Sequence, residues 1–410
     1  MEQTSEHTSC CIVGGGPAGM VLGLLLARCG VPVTVLEKHG DFLRDFRGDT
    51  VHPSTLALLD DLGLGARFAQ LPQRHVSSVQ LPIGPGGTPL TIGHLEALPV
   101  KFNYIAMVPQ WDLLDLLADE AGTEPTFTLR MNTEAVSFLD DGRRICGVRY
   151  RTADGGTGTL RATLTVACDG RTSLARELPE LGLRTFPCPM DAWWFRLPRR
   201  PGDPVGLVGN VGDRFLSAMI DRGDYWQCGA MIPKGSDAER RAAGVDRFAQ
   251  QFLATAPWLG DRVHTLRSWD QVKLLDVRLD RLRRWHRPGL LCIGDAAHAM
   301  SPIFGIGINL AVQDAVAAAR HLADRLPSDA LPEHVLRRIQ YRRWPTAAAA
   351  QALQRLAQDR VITPALAGAP RTNVSMVARR IVSTRGVRRL PAYFLAYGAV
   401  RERPPAAARR

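Results

Sequence analysis

Three glycines and one acid near the start of the chain have the spacing of a phosphate-binding turn. Residues 10–16 read CCIVGGG, an apolar run that predicts a buried strand ending in glycines. The stretch PAGMVLGLLLARCG follows with apolar residues at helical spacing and stops at Gly30; VPVTVLEK then predicts a second strand ending at Glu37. Within this strand–helix–strand unit Gly14, Gly16 and Gly19 form G-x-G-x-x-G, with an acid about twenty positions on. Gly14 permits a tight turn, Gly16 lets backbone approach a pyrophosphate, and Gly19 lets helix pack closely on strand. Pro17 and Ala18 open the helix, whose exposed N–H groups and positive end favour phosphates. Glu37, with Lys38 beside it, can accept hydrogen bonds from ribose hydroxyls. This predicts nucleotide binding without saying which dinucleotide is bound.

Two later segments narrow the choice. Residues 164–176, LTVACDGRTSLAR, run as a strand into Asp169 and Gly170. Residues 289–314, GLLCIGDAAHAMSPIFGIGINLAVQD, give a strand, the pair Gly294 and Asp295, a loop with Pro302, Gly305 and Gly307, and a helix beginning around Ile308 and Asn309. His298 in this segment is expected to be a structural hydrogen-bonder.

In their order and separation the three segments resemble those of the flavoprotein aromatic hydroxylases, the para-hydroxybenzoate hydroxylase-like FAD monooxygenases, from about residue 10 to 320. The resemblance implies FAD as cofactor and an α/β fold. A Rossmann-type FAD-binding domain with a parallel sheet is accompanied by a smaller antiparallel-sheet substrate domain and a C-terminal helical region. It implies that Asp295 hydrogen-bonds the ribitol, and that Asp169 and Gly170 belong to a segment linked with both FAD and nicotinamide binding. Arg47, in FRGDTVHPSTLALL, and Gln110, in VPQWDLLDLL, fall where the family places further flavin contacts.

The glycine-rich loop can also be argued from chemistry. A reduced flavin carries negative charge on its ring, and a turn feeding a helix offers N–H donors and a positive dipole end to stabilise it. Gly305 and Gly307 leave room for a planar ring, and Asn309 can donate or cap. Pro302, Gly305 and Arg47 are the catalytic candidates. Ser301 and Ile306 depart from the family pattern, which commonly has proline and glutamine at those positions.

The expected division is residues 1–76, 106–184 and 286–350 for the FAD-binding domain, 77–105 and 185–285 for the substrate domain, and 351–410 for C-terminal helices and a basic tail. The middle reads as short strands, VSSVQLPI, DAWWFRL, RFLSAMI and YWQCGAMI, followed by the helical VDRFAQQFLATA. GLVGNVG has the wrong glycine spacing for a phosphate loop. There is no second dinucleotide fingerprint, so NAD(P)H is expected as a transient co-substrate, as the resemblance implies, or else an outside reductase supplies the electrons. Tyr104, Trp193, Phe195 and Tyr225 are the candidates for lining an aromatic pocket. The activity implied is hydroxylation of an electron-rich aromatic or polycyclic small molecule by dioxygen through a flavin C4a-hydroperoxide. The alternatives are a flavin-dependent reductase or dehydrogenase, a non-catalytic flavoprotein, or a flavin halogenase. For the last, the nearest match to the W-x-W-x-I-P segment runs from Trp226 to Pro233, with the tryptophan spacing lost.

Composition sets the remaining bounds. With 410 residues, 45% of them hydrophobic and 22% charged, the chain is globular and long enough for two domains. The eight cysteines include no C-x-x-C pair, which argues against a metal site or disulfide framework and for a reducing cytoplasm. The apolar window from Cys11 to Ala27 has no basic residue before it, so it is not read as a signal peptide. No membrane span is expected. Residues 371–410 hold ten arginines and one glutamate, so most of the net charge of +11 belongs to this tail and not to a nucleic-acid-binding surface. Val374, Val377, Ala378 and Ile381 share one helical face there, read as a docked helix or, less favoured, a membrane-surface one. The final RPPAAARR is expected to be disordered.

Overall fold

In a computed structural model the described residues are 6–43, 50–81, 90–212, 214–326, 331–368, 389–398 and 400–410. Arg47 and the helical face around 374–381 lie outside them. The fold is α/β, and its centre is an eight-stranded sheet. β1 (Glu6–Val13) is flanked by β2 (Val33–Leu36) and β11 (Thr157–Ala167), with β8 (Phe127–Arg130) beyond β2 and β20 (Leu290–Cys292) beyond β11. All four of these pairings are parallel. β19 (His286–Arg287) closes one edge, while β9 (Thr133–Asp140) and β10 (Ile145–Thr152) form an antiparallel hairpin on the N-terminal half of β11.

Register decides where the chemistry can sit. Val13 lies opposite both Leu36 and Ala167, and Ala167 lies opposite Cys292. Four strands therefore end at one level. The turns that follow them, at Gly14, Glu37, Cys168 and Gly294, emerge along one edge of the sheet, where open parallel sheets bind their ligands. The helix α1 (Pro17–Arg28) is buried along almost its whole length against the sheet. It packs on α4 (Gln110–Gly122) and α7 (Gly307–Leu322). Among the described residues one helical stretch, Ile303–Leu322, is long and apolar enough to cross a membrane, and most of it is buried in this core.

Smaller sheets surround this core. β3 (Thr50–Val51), β7 (Ile105–Met107) and β4 (Arg74–Val76) form a three-stranded sheet beside α2 (Pro53–Asp61) and α3 (Gly65–Ala69). β5 (Ser78–Leu81) pairs with β6 (Leu90–His94), and β12 (Leu183–Thr185) with β18 (Asp280–Leu282). The second large unit is a five-stranded antiparallel sheet ordered β14 (Leu207–Gly212), β15 (Phe215–Asp221), β16 (Tyr225–Pro233), β13 (Met190–Pro198) and β17 (Lys273–Leu275). The rejected phosphate loop GLVGNVG thus supplies the edge strand β14. After α5 (Asp237–Ala242), α6 (Val245–Thr255) covers one face, where Trp193, Phe195, Trp226, Phe248 and Phe252 form a common core. Pleating sends Met190, Ala192 and Trp194 to the other face, against Ile303 and Phe304.

The C-terminal part corrects the expectation of a disordered end. α8 (Glu333–Ala357) accommodates Pro345 in its interior and continues toward α9 (Thr363–Leu366). The segment 400–410 is docked: Ala408 is fully buried and its carbonyl accepts a hydrogen bond from buried Arg28 at 3.2 Å. The Glu402 side chain is also enclosed, among arginines. Arginine, proline and alanine composition resembles that of a solvated tail, but these contacts are specific and need only a few of its residues.

Phe195 is 0% exposed with edge-to-face contacts to Phe248 and Phe252, so Phe195→Ala should cost about 3–5 kcal/mol in denaturant unfolding. Trp194→Ala on the opposite, half-buried face should cost about half of that or less. The loop between β13 and β14 gives a pH test. Burial works against the Asp203 charge, but Arg262, the Arg200 N–H and the Trp226 indole outweigh it and hold its pKa at about 2. A depressed carboxylate contributes stability above its unfolded value of about 4 and loses it as pH falls through the folded value. The stability gap between wild type and Asp203→Asn, measured in urea, should therefore be full at pH 6 and shrink as pH falls below about 4.

Candidate active site

The turn after β1 is fixed by close approaches that only glycine permits. Gly14 has φ +103°, and a Cβ there would stand 2.7 Å from the Cys168 carbonyl oxygen. A Cβ on Gly19 would stand 2.0 Å from the Gly14 oxygen. α1 therefore begins hard against the sheet, with Gly16 as its N-cap, Pro17 in its first turn and no side chain capping it. Its first N–H groups, those of Ala18 and Gly19 among them, are left for a ligand. A Cβ on Gly16 would meet nothing within 4 Å, so the space in front of this turn is open. The buried Glu37 is held in place by the Gly15 N–H at 2.9 Å and the His39 N–H at 3.0 Å. Lys38 is exposed, and its charge acts on Asp169.

Asp169 follows β11 beside this turn. Burial raises its pKa, although hydrogen bonds from Ser173 and the Leu174 N–H pull the other way. Its Oδ2 accepts from Leu174 N at 3.3 Å, while Oδ1 is shut off from solvent without a hydrogen-bond partner. Gly170 adopts φ +80° and turns the chain so that Arg171 Nε reaches Asp295 Oδ2 at 3.2 Å. Arg176 donates to the Asp295 carbonyl at 2.6 Å. Gly294 adopts φ +58°, and its N–H donates to Asp314 Oδ2 at 3.1 Å. His298 Nε2 meets the same oxygen at 2.6 Å, which agrees with the structural role expected for it.

The loop after Pro302 is shaped by two left-handed residues, Phe304 at φ +69° and Gly305 at φ +61°. The Gly305 carbonyl accepts from the Thr50 hydroxyl at 2.7 Å and lies 3.0 Å from His52 Nε2. A Cβ on Gly305 would stand 2.8 Å from the Thr50 hydroxyl oxygen, so both the left-handed backbone and the approach of Thr50 favour glycine here. α7 then starts at Gly307 with no side-chain cap, leaving the N–H groups of Gly307, Ile308 and Asn309 for a ligand. Asn309 does not cap its own helix: its Oδ1 accepts from the hydroxyls of Ser54 and Thr55 in α2. Gln110 is the first residue of α4, three positions beyond Met107, which pairs with Thr50.

The aromatic candidates separate. Trp193 and Phe195 are 1% and 0% exposed beneath α6, on the face turned away from Phe304, so strand parity removes both from a pocket at this loop. Trp194 lies on the opposite face, in one cluster with Ile303 and Phe304. Its indole lies across Gly229, whose Cβ would stand 3.2 Å from the ring, and its Nε1 is enclosed without a hydrogen-bond partner. Tyr225 shares the Trp194 face but sits at the strand end, with the Arg196 guanidinium 4.7 Å from its ring centre. Tyr104 stacks on His75 at 3.9 Å and lines a cavity of about 410 Å³ with Leu56, Phe68, Arg74 and Phe102. No residue of the glycine-rich loop lines that cavity, so Tyr104 belongs to a different hollow.

Several site residues carry no signal of their own in the sequence. Thr50, His52, Ser54 and Thr55 are recruited by side-chain bonds to positions some 250 residues away. The FAD binding domain family model matches residues 7–355 of the chain. The chain is 34% identical over 397 residues to 6-methylpretetramide 4-monooxygenase of Streptomyces rimosus, covering 94% of this chain and 92% of that protein. Among solved structures it is similar to anhydrotetracycline hydroxylase from Streptomyces rimosus, with TM-score 0.75 and 21% identity over 97% of this chain and 77% of that one. It is also similar to a flavin-dependent halogenase, with TM-score 0.74 and 22% identity over 95% and 70%. At such identities the structural likeness shows the fold, and it is the sequence relationship that separates hydroxylase from halogenase. By that relationship the chain belongs to the FAD-binding family of flavoprotein aromatic hydroxylases, and it is an FAD-dependent monooxygenase.

Proposed function

We propose that the edge of the parallel sheet holds FAD along its length and that the Trp194 face of the antiparallel sheet receives an aromatic substrate beside it. The residues present fit the cofactor. The uncapped start of α1 with Gly14, Gly16, Pro17, Ala18 and Gly19 suits the pyrophosphate, and Glu37 suits a ribose. The enclosed, unpartnered Oδ1 of Asp169 offers one more polar contact near Gly170, Gly294 and Asp295. Pro302, Gly305, Gly307, Ile308 and Asn309 would hold the ring, with Arg47 and Gln110 as further candidates. When bound, FAD supplies the dioxygen chemistry, with NAD(P)H as the transient source of electrons. The chain's own part is to bind, orient and keep the reacting atoms dry.

The observation that carries this reading is the junction of Trp194 with Phe304 and Ile303. There the apolar face of the sheet, supplied from residues 185–285, meets the glycine-rich loop directly. A flat, electron-rich ring fits between an indole face and a flavin. The strand from Trp226 to Pro233 supports hydroxylation over halogenation: Trp226 is fully buried under α6, with its indole N–H on Asp203. By its name the Streptomyces rimosus relative acts on 6-methylpretetramide, which makes that compound the first to try as substrate. A cytoplasmic site of action belongs to the same proposal, since all eight cysteines are free and burial pushes the Cys11 thiol up to about 12.

Glu37→Gln removes a charged acceptor fixed by two N–H groups, and should weaken FAD binding to the apoprotein on the order of tenfold in a fluorescence titration. For the reaction, an aromatic substrate should accelerate NAD(P)H oxidation, and product formed under ¹⁸O₂ should carry one labelled oxygen atom. Unlabelled product would refute the proposal. Trp194→Ala should raise KM and divert electrons to hydrogen peroxide, while Trp193→Ala changes stability alone.

A further inference from the structure

We propose that Glu402, in the C-terminal segment, is a positioning residue of the flavin site that acts through a buried relay of charges. The inference rests on FAD binding and is independent of the substrate.

The relay runs along the polar side of α7. Asp314 is 1% exposed at its side chain, and its Oδ2 accepts from both ends of the turn that carries Asp295: Gly294 N at 3.1 Å and His298 Nε2 at 2.6 Å. Its Oδ1 accepts from Arg343 Nε at 2.8 Å. Arg343, fully enclosed on α8, sends Nη2 to Gln313 Oε1 at 3.1 Å and Nη1 to Glu402 Oε1 at 3.4 Å. The Glu402 side chain is 1% exposed and accepts twice from Arg342 Nε, at 2.9 Å each, with Arg320 Nη1 at 3.7 Å. Gln313 in turn donates to Ser54 Oγ and to the Tyr397 carbonyl, and Ser54 donates to Asn309 Oδ1. One buried set of groups therefore touches both turns proposed to hold the flavin, the one at Gly294 and the one ending at Asn309.

Charge explains why the set needs its last member. The guanidinium of Arg343 is planar with donors in fixed directions, so fixing Nη1 and Nη2 also fixes where Nε points. Glu402 and Gln313 hold the two outer donors, and Nε is thereby aimed at Asp314. Without the Glu402 charge the buried Arg343 Nη1 has at most a weaker, neutral acceptor, so the guanidinium turns away or admits water and loosens its hold on Asp314. Asp314 then secures the Gly294–His298 turn less well. Glu402 can reach this place because the far end of its segment is pinned, with Arg28 donating to the Ala408 carbonyl and the Arg410 N–H to the Asp61 carbonyl.

The test uses the full chain with Glu402→Gln and Glu402→Asp. In the apoprotein, Glu402→Gln should speed hydrogen–deuterium exchange across Gly294–His298 at least tenfold, and FAD titration should show a Kd raised about tenfold. Glu402→Asp keeps the charge and should bring Kd back to within threefold of wild type. A residue that only staples the segment would lower the melting temperature and speed exchange in 400–410 and α8 alone. If Glu402→Gln leaves both the Gly294–His298 exchange and the FAD Kd within twofold of wild type, the proposal fails. Should Glu402→Gln not fold, the double variant Glu402→Gln/Arg343→Met removes both charges. Because Glu402 acts through Arg343, this variant and Arg343→Met alone should bind FAD equally, each about tenfold more weakly than wild type; wild-type affinity in both, or a further tenfold loss on adding Glu402→Gln, would overturn the proposal.

Discussion

The site depends first on a steric constraint, the contact of α1 with the turn that precedes it. With no Cβ on Gly19 the helix can close to the carbonyl of Gly14, and with none on Gly14 that turn can pass beneath Cys168. These two approaches bring the positive end of α1 to the level where β1, β2, β11 and β20 all terminate. A larger residue at either position would lift the helix from the sheet and separate the uncapped N–H groups at its start from Glu37. Electrostatics therefore acts here on a geometry that packing has already fixed.

α7 supplies the second organising element, and by polar means. Asn309, Gln313 and Asp314 are at most 3% exposed and face elements distant in sequence, from Ser54 in α2 to Arg343 in α8. Buried polar groups are costly unless satisfied, so each of these contacts selects one arrangement of its neighbours. The two turns expected to hold the flavin ring are thereby tied to one helix. The cost of burying Asp314 is met on both sides: burial raises its pKa, but His298 and Arg343 outweigh that and hold it below the ordinary range.

Local patterns made much of this legible in the sequence. Gly14, Gly16 and Gly19 with Glu37, and the pairs Asp169–Gly170 and Gly294–Asp295, are short motifs whose backbone needs can be read from residue type alone. The strands β13, β15 and β16 and the helix α6 were equally readable from alternation and periodicity. Which face of β13 meets the glycine-rich loop was not. Trp193 and Trp194 are adjacent, both faces of their sheet are covered, and an apolar run buried on both sides carries no parity signal. Asn309 misled for a related reason, because an asparagine early in a helix reads as a cap when its true partners, Ser54 and Thr55, lie in another element. At the C-terminus, composition pointed to disorder, whereas the decisive facts were one glutamate and one alanine placed to meet Arg343 and Arg28.

The two sheets divide the labour, and among the described residues no cluster of histidines, cysteines and carboxylates is placed to hold a metal. The parallel sheet presents donors and turns, the antiparallel sheet presents an aromatic face, and the bond-breaking power comes with the cofactor. A protein in that position needs a dry chamber with one wall formed by the cofactor itself. The hollow at Tyr104 lacks that wall, since the glycine-rich loop lines none of it. At the junction of Trp194, Ile303 and Phe304 the antiparallel sheet already touches the glycine-rich loop, so a ring received there, as proposed, would be held against that loop within the apolar cluster of Met190, Ala192 and Leu216. On the proposed placement, regiochemistry is a question of which edge of the substrate this apolar wall pushes toward the flavin. The enclosed Nε1 of Trp194 is the one polar group of that indole available to favour one edge over another.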